Sequence, residues 1–223
     1  MIKRNIIILF SILVCLYLFN EEYRIDDYFK MNNDQLKIEE KLLLNEKDSF
    51  KKFAGLGFIY FFMNNEKIKP AIDNFEKALT INEDSLIKAY LGSSYTKLGR
   101  NETDLNLKVK YVNKGLKIMD EAYKENNNYS ISILLVNNFI ELPDNIFHRL
   151  KNAAKIIDSL SKNTDSFTKE QQAQILFLKS KINFKQSKKD EAIRLYKIII
   201  SEYKDTKYGE LALLELKKYG VIK

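Results

Sequence analysis

The chain has 223 residues, enough for one hydrophobic core or one short repeat array. Only two prolines and seven glycines interrupt a sequence rich in Leu, Ile, Lys and Glu, which favours long helices over an all-β fold. The net charge of +7 comes from lysines scattered among acidic residues, so nucleic acid is not an expected partner. The single cysteine, Cys15, excludes an intrachain disulfide and a cysteine-based metal site. We therefore expect an all-α protein.

Residues 1–20 have the pattern of a signal-anchor or signal peptide. Lys3 and Arg4 precede an almost wholly apolar run at residues 5–19, and acidic residues follow it. This charge bias predicts that the N-terminus stays on the cytoplasmic side and that the remaining chain is exported. A buried core helix is the alternative, but the run has no polar face and would not fit a helical hairpin.

Cleavage and lipidation of this segment are separate questions. The apolar run is short for a membrane span of about 20 residues, and it lacks an Ala-x-Ala-type cleavage site. Ile12-Leu13-Val14-Cys15 resembles the lipobox of bacterial lipoproteins, in which the cysteine receives lipid, although a small residue is usual at the position of Val14. We expect an uncleaved signal-anchor that contacts the membrane through residues 5–19, with lipidation of Cys15 as the alternative.

A linker with a lone helix is expected at residues 21–48. The helix is predicted over residues 34–46, with Leu36, Leu43 and Leu44 packing onto the element that follows. Four copies of one helical-hairpin pattern then occupy residues 49–206. Their approximate bounds are 49–83, 84–127, 128–163 and 168–204.

Each copy places small residues between large ones on both helices of the hairpin. The first carries Leu56, Gly57 and Tyr60, then Ala71, Phe75 and Ala78; the second carries Leu91, Gly92 and Tyr95, then Gly115, Met119 and Ala122. The long connection in the second copy predicts a longer second helix that begins near Asp104. The third copy is degenerate, with Asn137 at the small position and Ile140 at the aromatic one, then Ala153, Ile157 and Leu160 after a linker with Pro143. The fourth carries Ser180, Asn183, Ala192, Tyr196 and Ile199, and a capping helix using Leu211, Leu214 and Leu216 is expected within residues 207–223.

This pattern resembles the tetratricopeptide repeat family over roughly residues 49–219. The resemblance implies a right-handed superhelical solenoid of about four hairpins with a C-terminal cap, following the N-terminal membrane segment. In that family the first helix of each hairpin lines a concave groove. Carried over, the groove candidates are Phe58, Phe61, Phe62, Ser93, Lys97, Leu134, Asn138, Glu141, Phe177, Lys181 and Phe184, with Phe62 and Phe177 equally interpretable as core. Aromatics beside lysines would suit an extended peptide with apolar and acidic side chains.

The carboxylate clamp of some family members is absent from the matching positions. These positions hold Ala54, Phe58, Tyr90, Ile131 and Leu135. The sequence therefore does not support binding of chaperone tails of that type.

Catalytic and metal chemistry find little support in the sequence. His148 is the only histidine, and it has no nearby His or Cys companion for a metal and no evident nucleophile. Gly55 and Gly57 lack the third glycine and the preceding strand of a phosphate-binding loop. We expect no enzyme activity, no cofactor and no metal.

The sequence thus leads to three hypotheses of unequal weight. The first is a non-enzymatic protein–protein interaction scaffold on the outer face of a bacterial cytoplasmic membrane, which binds an unidentified protein or peptide through the concave groove. The second is a structural or docking subunit of an envelope transport or assembly complex, as a periplasmic protein or exported lipoprotein that uses its convex side. The third, an enzyme built around His148, is the least favoured.

Overall fold

A computed structural model describes residues 25–63 and 67–222. In these residues it shows twelve α-helices, one short 3-10 helix and no strand, so the prediction of an all-α protein is confirmed. The helices are α1 (Ile25–Lys30), α2 (Asn33–Leu44), α3 (Phe50–Met63), α4 (Ile68–Ile81), α5 (Ser85–Asn101), α6 (Leu105–Glu125), α7 (Tyr129–Glu141), α8 (Asp144–Phe147), α9 (Leu150–Leu160), α10 (Lys169–Lys185), α11 (Lys189–Glu202) and α12 (Lys207–Lys218).

Side-chain oxygens fix the starts of several helices. At α2, Asn32 Oδ1 accepts the backbone N–H of Gln35 at 3.0 Å, and the Gln35 side chain accepts that of Asn32. Thr168 and Gln171 form the same reciprocal capping box at α10. At the start of α5, Asp84 Oδ1 accepts the backbone N–H of Ile87 at 2.8 Å. Each cap satisfies N–H groups that have no partner within the helix.

The chain divides into two compact units, Met1–Leu116 and Lys117–Lys223. In unit 1, α3 packs against α4 through small residues. A Cβ added at Gly57 would lie 2.5 Å from the Phe75 ring, and Ala71 and Ala78 on α4 are fully buried. Large side chains at these positions would force the two helices apart.

The second helix pair of unit 1 shows the same close approach. Gly115 on α6 faces the backbone and methyl group of Thr96 on α5, with no room for a Cβ. Helix α6 begins at Leu105, next to the start near Asp104 that the apolar spacing predicts. Asp104 Oδ1 accepts the backbone N–H of Leu107 at 2.9 Å, which supports this start.

The lone helix α2 packs on α3 through two leucines rather than the expected three. Leu36 and Leu43 are buried, and a Leu43 methyl group lies against Gly55 of α3. The prediction that Leu44 also packs there is wrong, because that side chain is about half exposed. Residues one apart differ by about 100° around a helix, so Leu44 points away from the face that carries Leu43.

In unit 2, α10, α11 and α12 pack around one apolar core. Ser180 on α10 and Ala192 on α11 are fully buried, which lets these two helices approach closely. The remaining core is aromatic and aliphatic; its buried members are Ala173, Phe177, Tyr196, Ile199, Tyr208, Ala212 and Leu216.

The capping helix α12 buries a different face from the one expected. Leu216 is buried as predicted, together with Tyr208 and Ala212. Leu211 and Leu214 were expected to pack as well, but both side chains are exposed. The aromatic ring of Tyr208 packs against Phe177, with ring centroids 5.5 Å apart, and Tyr208, Ala212 and Leu216 form one buried stripe at intervals of four residues.

The degenerate hairpin joins α7 to α9 through the additional short helix α8. Asn137 was assigned to the small buried position, yet its side chain is exposed and donates to the backbone oxygen of Ile133 at 2.9 Å. The buried side of α7 carries Val136 and Ile140 instead. That side is mainly apolar, and the buried amide of Asn138 likewise donates to a backbone oxygen of α7.

Candidate partner-binding surface

Half-buried aromatic rings from two helices form one surface in unit 1. Phe61 and Phe62 lie at the end of α3, and Tyr90 belongs to α5. The Phe61 and Tyr90 ring centroids are 5.1 Å apart, and those of Phe62 and Tyr90 are 6.2 Å apart, both in edge-to-face geometry. We call Phe61, Phe62, Tyr90 and Lys97 the aromatic surface.

Lys97 adds a positive charge to this surface. Its Nζ lies 4.9 Å from the centroid of the Phe61 ring and donates to the backbone oxygen of Phe61 at 2.9 Å. The ammonium therefore caps one of the last carbonyls of α3, where the helix dipole favours a cation. Burial, and then repulsion from Arg100, lower the pKa of Lys97. A carboxylate brought to the surface would offset both effects, because an opposite charge favours the charged form of the amine.

Phe58 supports the aromatic surface from below. Its side chain is fully buried, with ring centroids 5.2 Å from Phe75 and 5.0 Å from Tyr90. Phe58 was expected to line the groove, so its assignment as a partner contact is corrected to core. Ser93 requires the same correction, since it is 3% exposed. Phe58 and Ser93 each lie on a side of their helix that faces the interior of unit 1.

The second set of predicted contacts lies in unit 2. Lys181 Nζ is 3.4 Å from Glu141 Oε1, so the structure brings these two groove candidates together as a surface ion pair. Asn138 is buried, and its amide donates to the backbone oxygen of Leu134 at 2.9 Å, which removes it from the accessible set. The ion pair satisfies each charge with the other, so it offers a partner less than an uncompensated charge would.

Phe184 was also expected in the groove. Its ring stacks on Tyr219 with centroids 3.9 Å apart and an interplanar angle of 15°. The Phe184 ring is half-buried beneath the end of α12, so stacking on Tyr219 explains its position without a bound partner. The sequence analysis did not predict Tyr219 as the partner of Phe184, and it named Tyr90 only as the occupant of a carboxylate-clamp position. The contacts of both tyrosines depend on tertiary packing, which local spacing does not reveal.

His148 has a structural role in the connection between α7 and α9. It is exposed, with φ 52° and ψ 42°, and its backbone N–H donates to the Asp144 backbone oxygen at 3.0 Å, which ends α8. Asp144 Oδ1 in turn accepts the backbone N–H of Leu150 at 2.7 Å, at the start of α9. Within residues 25–63 and 67–222, no group of three or more His, Cys, Asp or Glu side chains could hold a metal ion.

The predicted membrane segment and Cys15 lie outside the described residues. Among the helices that the structure describes, none is both long enough and apolar enough to cross a bilayer. No family model, curated protein or solved structure matches the chain.

Proposed function

We propose that the protein is a membrane-tethered scaffold that binds an extended peptide or protein segment through the aromatic surface of unit 1. The observation that carries the proposal is the position of Lys97, whose ammonium lies over the Phe61 ring beside Phe62 and Tyr90. Partly exposed aromatic rings next to a cation can bind a segment that has apolar and acidic side chains.

We further propose that the helix pairs form a solenoid of the tetratricopeptide type. The support is local: Gly57 and Gly115 have no room for a Cβ, and Ala71, Ala78 and Ala192 are fully buried. Small residues at the helix–helix contacts are what such repeats require. A solenoid presents an extended surface, which fits a binding function better than a catalytic one.

The location follows from residues 5–19, which we propose as the membrane tether. Lys3 and Arg4 before the run favour an N-terminus inside the cell, with the helical units outside a bacterial cytoplasmic membrane. A lipid on Cys15 would give the same placement by another route. In either case the helical units present their surface to envelope proteins, with neither enzyme chemistry nor a cofactor in the proposal.

Site-specific photo-crosslinking in living cells tests the binding surface. A benzophenone amino acid replaces Phe62 in one version of the full chain and Phe53 in another. Phe53 is a matched control because it also lies on α3, is half-buried and has a lysine, Lys77, 5.4 Å from its ring centroid. We expect discrete adducts from position 62 and none from position 53. Adducts from position 53 alone would favour docking through another face, as in a subunit of an envelope assembly.

A charge-neutral variant tests the role of Lys97 separately. Lys97→Gln removes the positive charge that lies over the Phe61 ring and keeps an uncharged hydrogen-bond donor on the side chain. The matched control is Lys77→Gln. We expect the adduct yield at position 62 to fall with Lys97→Gln and to stay unchanged with Lys77→Gln; equal yields in all three chains would refute recognition of acidic groups.

A further inference from the structure

Helix α1 brings one more aromatic ring to the edge of the aromatic surface. The ring centroids of Phe29 and Phe62 are 5.7 Å apart in edge-to-face geometry. Phe29 is nevertheless 63% exposed, so it lies beside Phe62 and leaves most of its own ring accessible. The preceding residue, Tyr28, is half-buried and stacks on Phe58 with centroids 6.1 Å apart. Consecutive side chains point about 100° apart around a helix, so Tyr28 packs inward while Phe29 stays at the surface.

Phe29 is connected to Lys97 through two rings of the aromatic surface. The Phe62 and Phe61 ring centroids are 5.3 Å apart, and Lys97 Nζ lies 4.9 Å from the Phe61 centroid. Together with the contact between Phe29 and Phe62, these distances correspond to at most about five residues of an extended peptide, which rises about 3.3 Å per residue. One extended segment can therefore contact both Phe29 and Lys97.

The charges differ between the two ends of this row of rings. Lys97 and Arg100 lie one turn apart on α5, and neither forms an ion pair with a carboxylate in the described part of the chain. On α1, by contrast, Asp26 and Asp27 outnumber Lys30. An opposite charge stabilises a cation, so a carboxylate of the partner is favoured beside Lys97 and not beside Phe29.

We infer that Phe29 is a further partner contact and that the row of rings fixes the register of the bound segment. An aromatic or large aliphatic side chain of the partner packs against Phe29 and Phe62, and a carboxylate no more than about five residues away lies at Lys97 and Arg100. The inference rests on the proposed function and specifies the segment that the aromatic surface recognises. A role of α1 as a strap that competes with the partner suits Phe29 less well, because a strap would bury that ring in the surface.

Selection from a random peptide library on the immobilised full chain tests the register. We expect the wild type to enrich peptides that carry an aromatic or large aliphatic residue and an acidic residue within about five positions of each other. Phe29→Ala should weaken the preference for the apolar residue and keep that for the acidic one, and Lys97→Gln should do the reverse. The matched control is Ile81→Ala, which truncates an exposed apolar side chain on α4 and should select the same peptides as the wild type.

A double-mutant cycle on one enriched peptide then identifies the contact itself. Phe29→Ala should lower the affinity about tenfold, and so should alanine in place of the apolar residue of the peptide. The two changes together should weaken binding by several-fold less than the product of the single effects, because both remove the same contact. The same change in the peptide should combine multiplicatively with Lys97→Gln. Fluorescence anisotropy of the labelled peptide measures each dissociation constant.

The outcomes separate the register from the binding function. If the wild type enriches peptides but both cycles are multiplicative, the inference is overturned and the proposed function stands. Tighter binding by Phe29→Ala would mean that α1 competes with the partner, and would also overturn the inference. A wild type that enriches no peptide would overturn the proposed function and the inference together.

Discussion

The third and fourth hairpins of unit 2 join their helices in different ways. In the fourth hairpin, α10 and α11, three residues connect the helices: Ser187 donates its backbone N–H to Phe184 at 3.0 Å, and Lys188 donates to Asn183 at 2.9 Å. These two bonds form a Schellman motif. In the third hairpin, α7 and α9, the connection runs from residue 142 to residue 149 and includes α8.

In the third hairpin, hydrogen bonds from polar side chains hold the longer connection in place. Arg149 Nη1 donates to both carboxylate oxygens of Asp120, at 3.1 and 2.9 Å, and its guanidinium lies 5.3 Å from the centroid of the Phe139 ring. Asp144 accepts from Leu150 at the start of α9. Buried small residues accompany a short turn in the fourth hairpin, whereas in the third, where Ala153 is buried but Asn137 is exposed, specific hydrogen bonds fix a longer connection.

The largest expected effects come from core substitutions, which test whether the cores of the two hairpins contribute equally to the free energy of unfolding. Ile157 on α9 and Ile199 on α11 are at most 1% exposed. Ile157→Ala and Ile199→Ala should each lower the free energy of unfolding by about 3 kcal/mol, since both remove buried methyl groups and leave a cavity. Urea unfolding followed by far-ultraviolet circular dichroism measures the loss. A much smaller loss for Ile157→Ala would mean that the third hairpin is held mainly by its connection.

The second test compares one arginine from each hairpin. Arg149→Ala should lower the free energy of unfolding by about 1 to 2 kcal/mol, because it removes a partly buried ion pair and the contact with Phe139. Arg194→Ala in α11 removes a pair with Glu191 that solvent surrounds, so no change should be measurable. The same unfolding experiment distinguishes the two. Equal effects would show that Asp120 does not fix the third hairpin.

The sequence predicted the helices and much of their packing because both depend on local spacing. Gly57, Ala71, Phe75 and Ala78 lie at the contacts between α3 and α4, as the repeat pattern requires. The pattern was less informative about which face of a helix is buried. Asn137 is exposed and donates along its own helix, and α12 buries Tyr208, Ala212 and Leu216 while Leu214 is exposed. In both helices the packing of neighbouring helices selects the buried face.

The candidate site was predictable only in part. Phe61 and Lys97 were assigned to one groove and lie together, while Glu141 and Lys181, assigned to the same groove, form an ion pair. Phe58, Ser93 and Asn138 were assigned to the same groove and are buried. Spacing shows which residues share a face of a helix, but the depth of that face below the surface depends on neighbouring helices that sequence reasoning cannot position.

The third test applies one substitution, Tyr→Phe, to both hairpins. Tyr129 on α7 donates its hydroxyl to the Gln174 side chain at 2.7 Å, so Tyr129→Phe should lower the free energy of unfolding by about 1 kcal/mol. The hydroxyl of Tyr196 on α11 is buried and has no hydrogen-bond partner in the described part of the chain. Tyr196→Phe should therefore leave stability unchanged or raise it by up to about 1 kcal/mol. Destabilisation by Tyr196→Phe would indicate that this hydroxyl binds a water or a neighbouring group.

The pH dependence of unfolding gives a second measurement on the same variants. Burial is the main cause that raises the pKa of both Tyr129 and Tyr196. Because the phenols ionise more readily in the unfolded chain, the stability they contribute is present below about pH 10 and is lost as the pH rises further. Each Phe variant should lose less stability above pH 10 than the wild type. An unchanged alkaline loss would mean that neither phenol is buried in the folded protein.

The smallest expected effect concerns the left-handed residue in each connection. His148 and Ser187 have φ values of 52° and 63°, which cost a residue with a Cβ about 1 kcal/mol, whereas Gly220 occupies the same position after α12 without that cost. Glycine also gains freedom in the unfolded chain, so His148→Gly and Ser187→Gly should each raise the free energy of unfolding by only about 0.5 kcal/mol. His148→Ala and Ser187→Ala keep the Cβ and should give no gain. If His148→Gly destabilises while Ser187→Gly stabilises, the His148 side chain itself holds the third hairpin, and its role would extend beyond the end of α8.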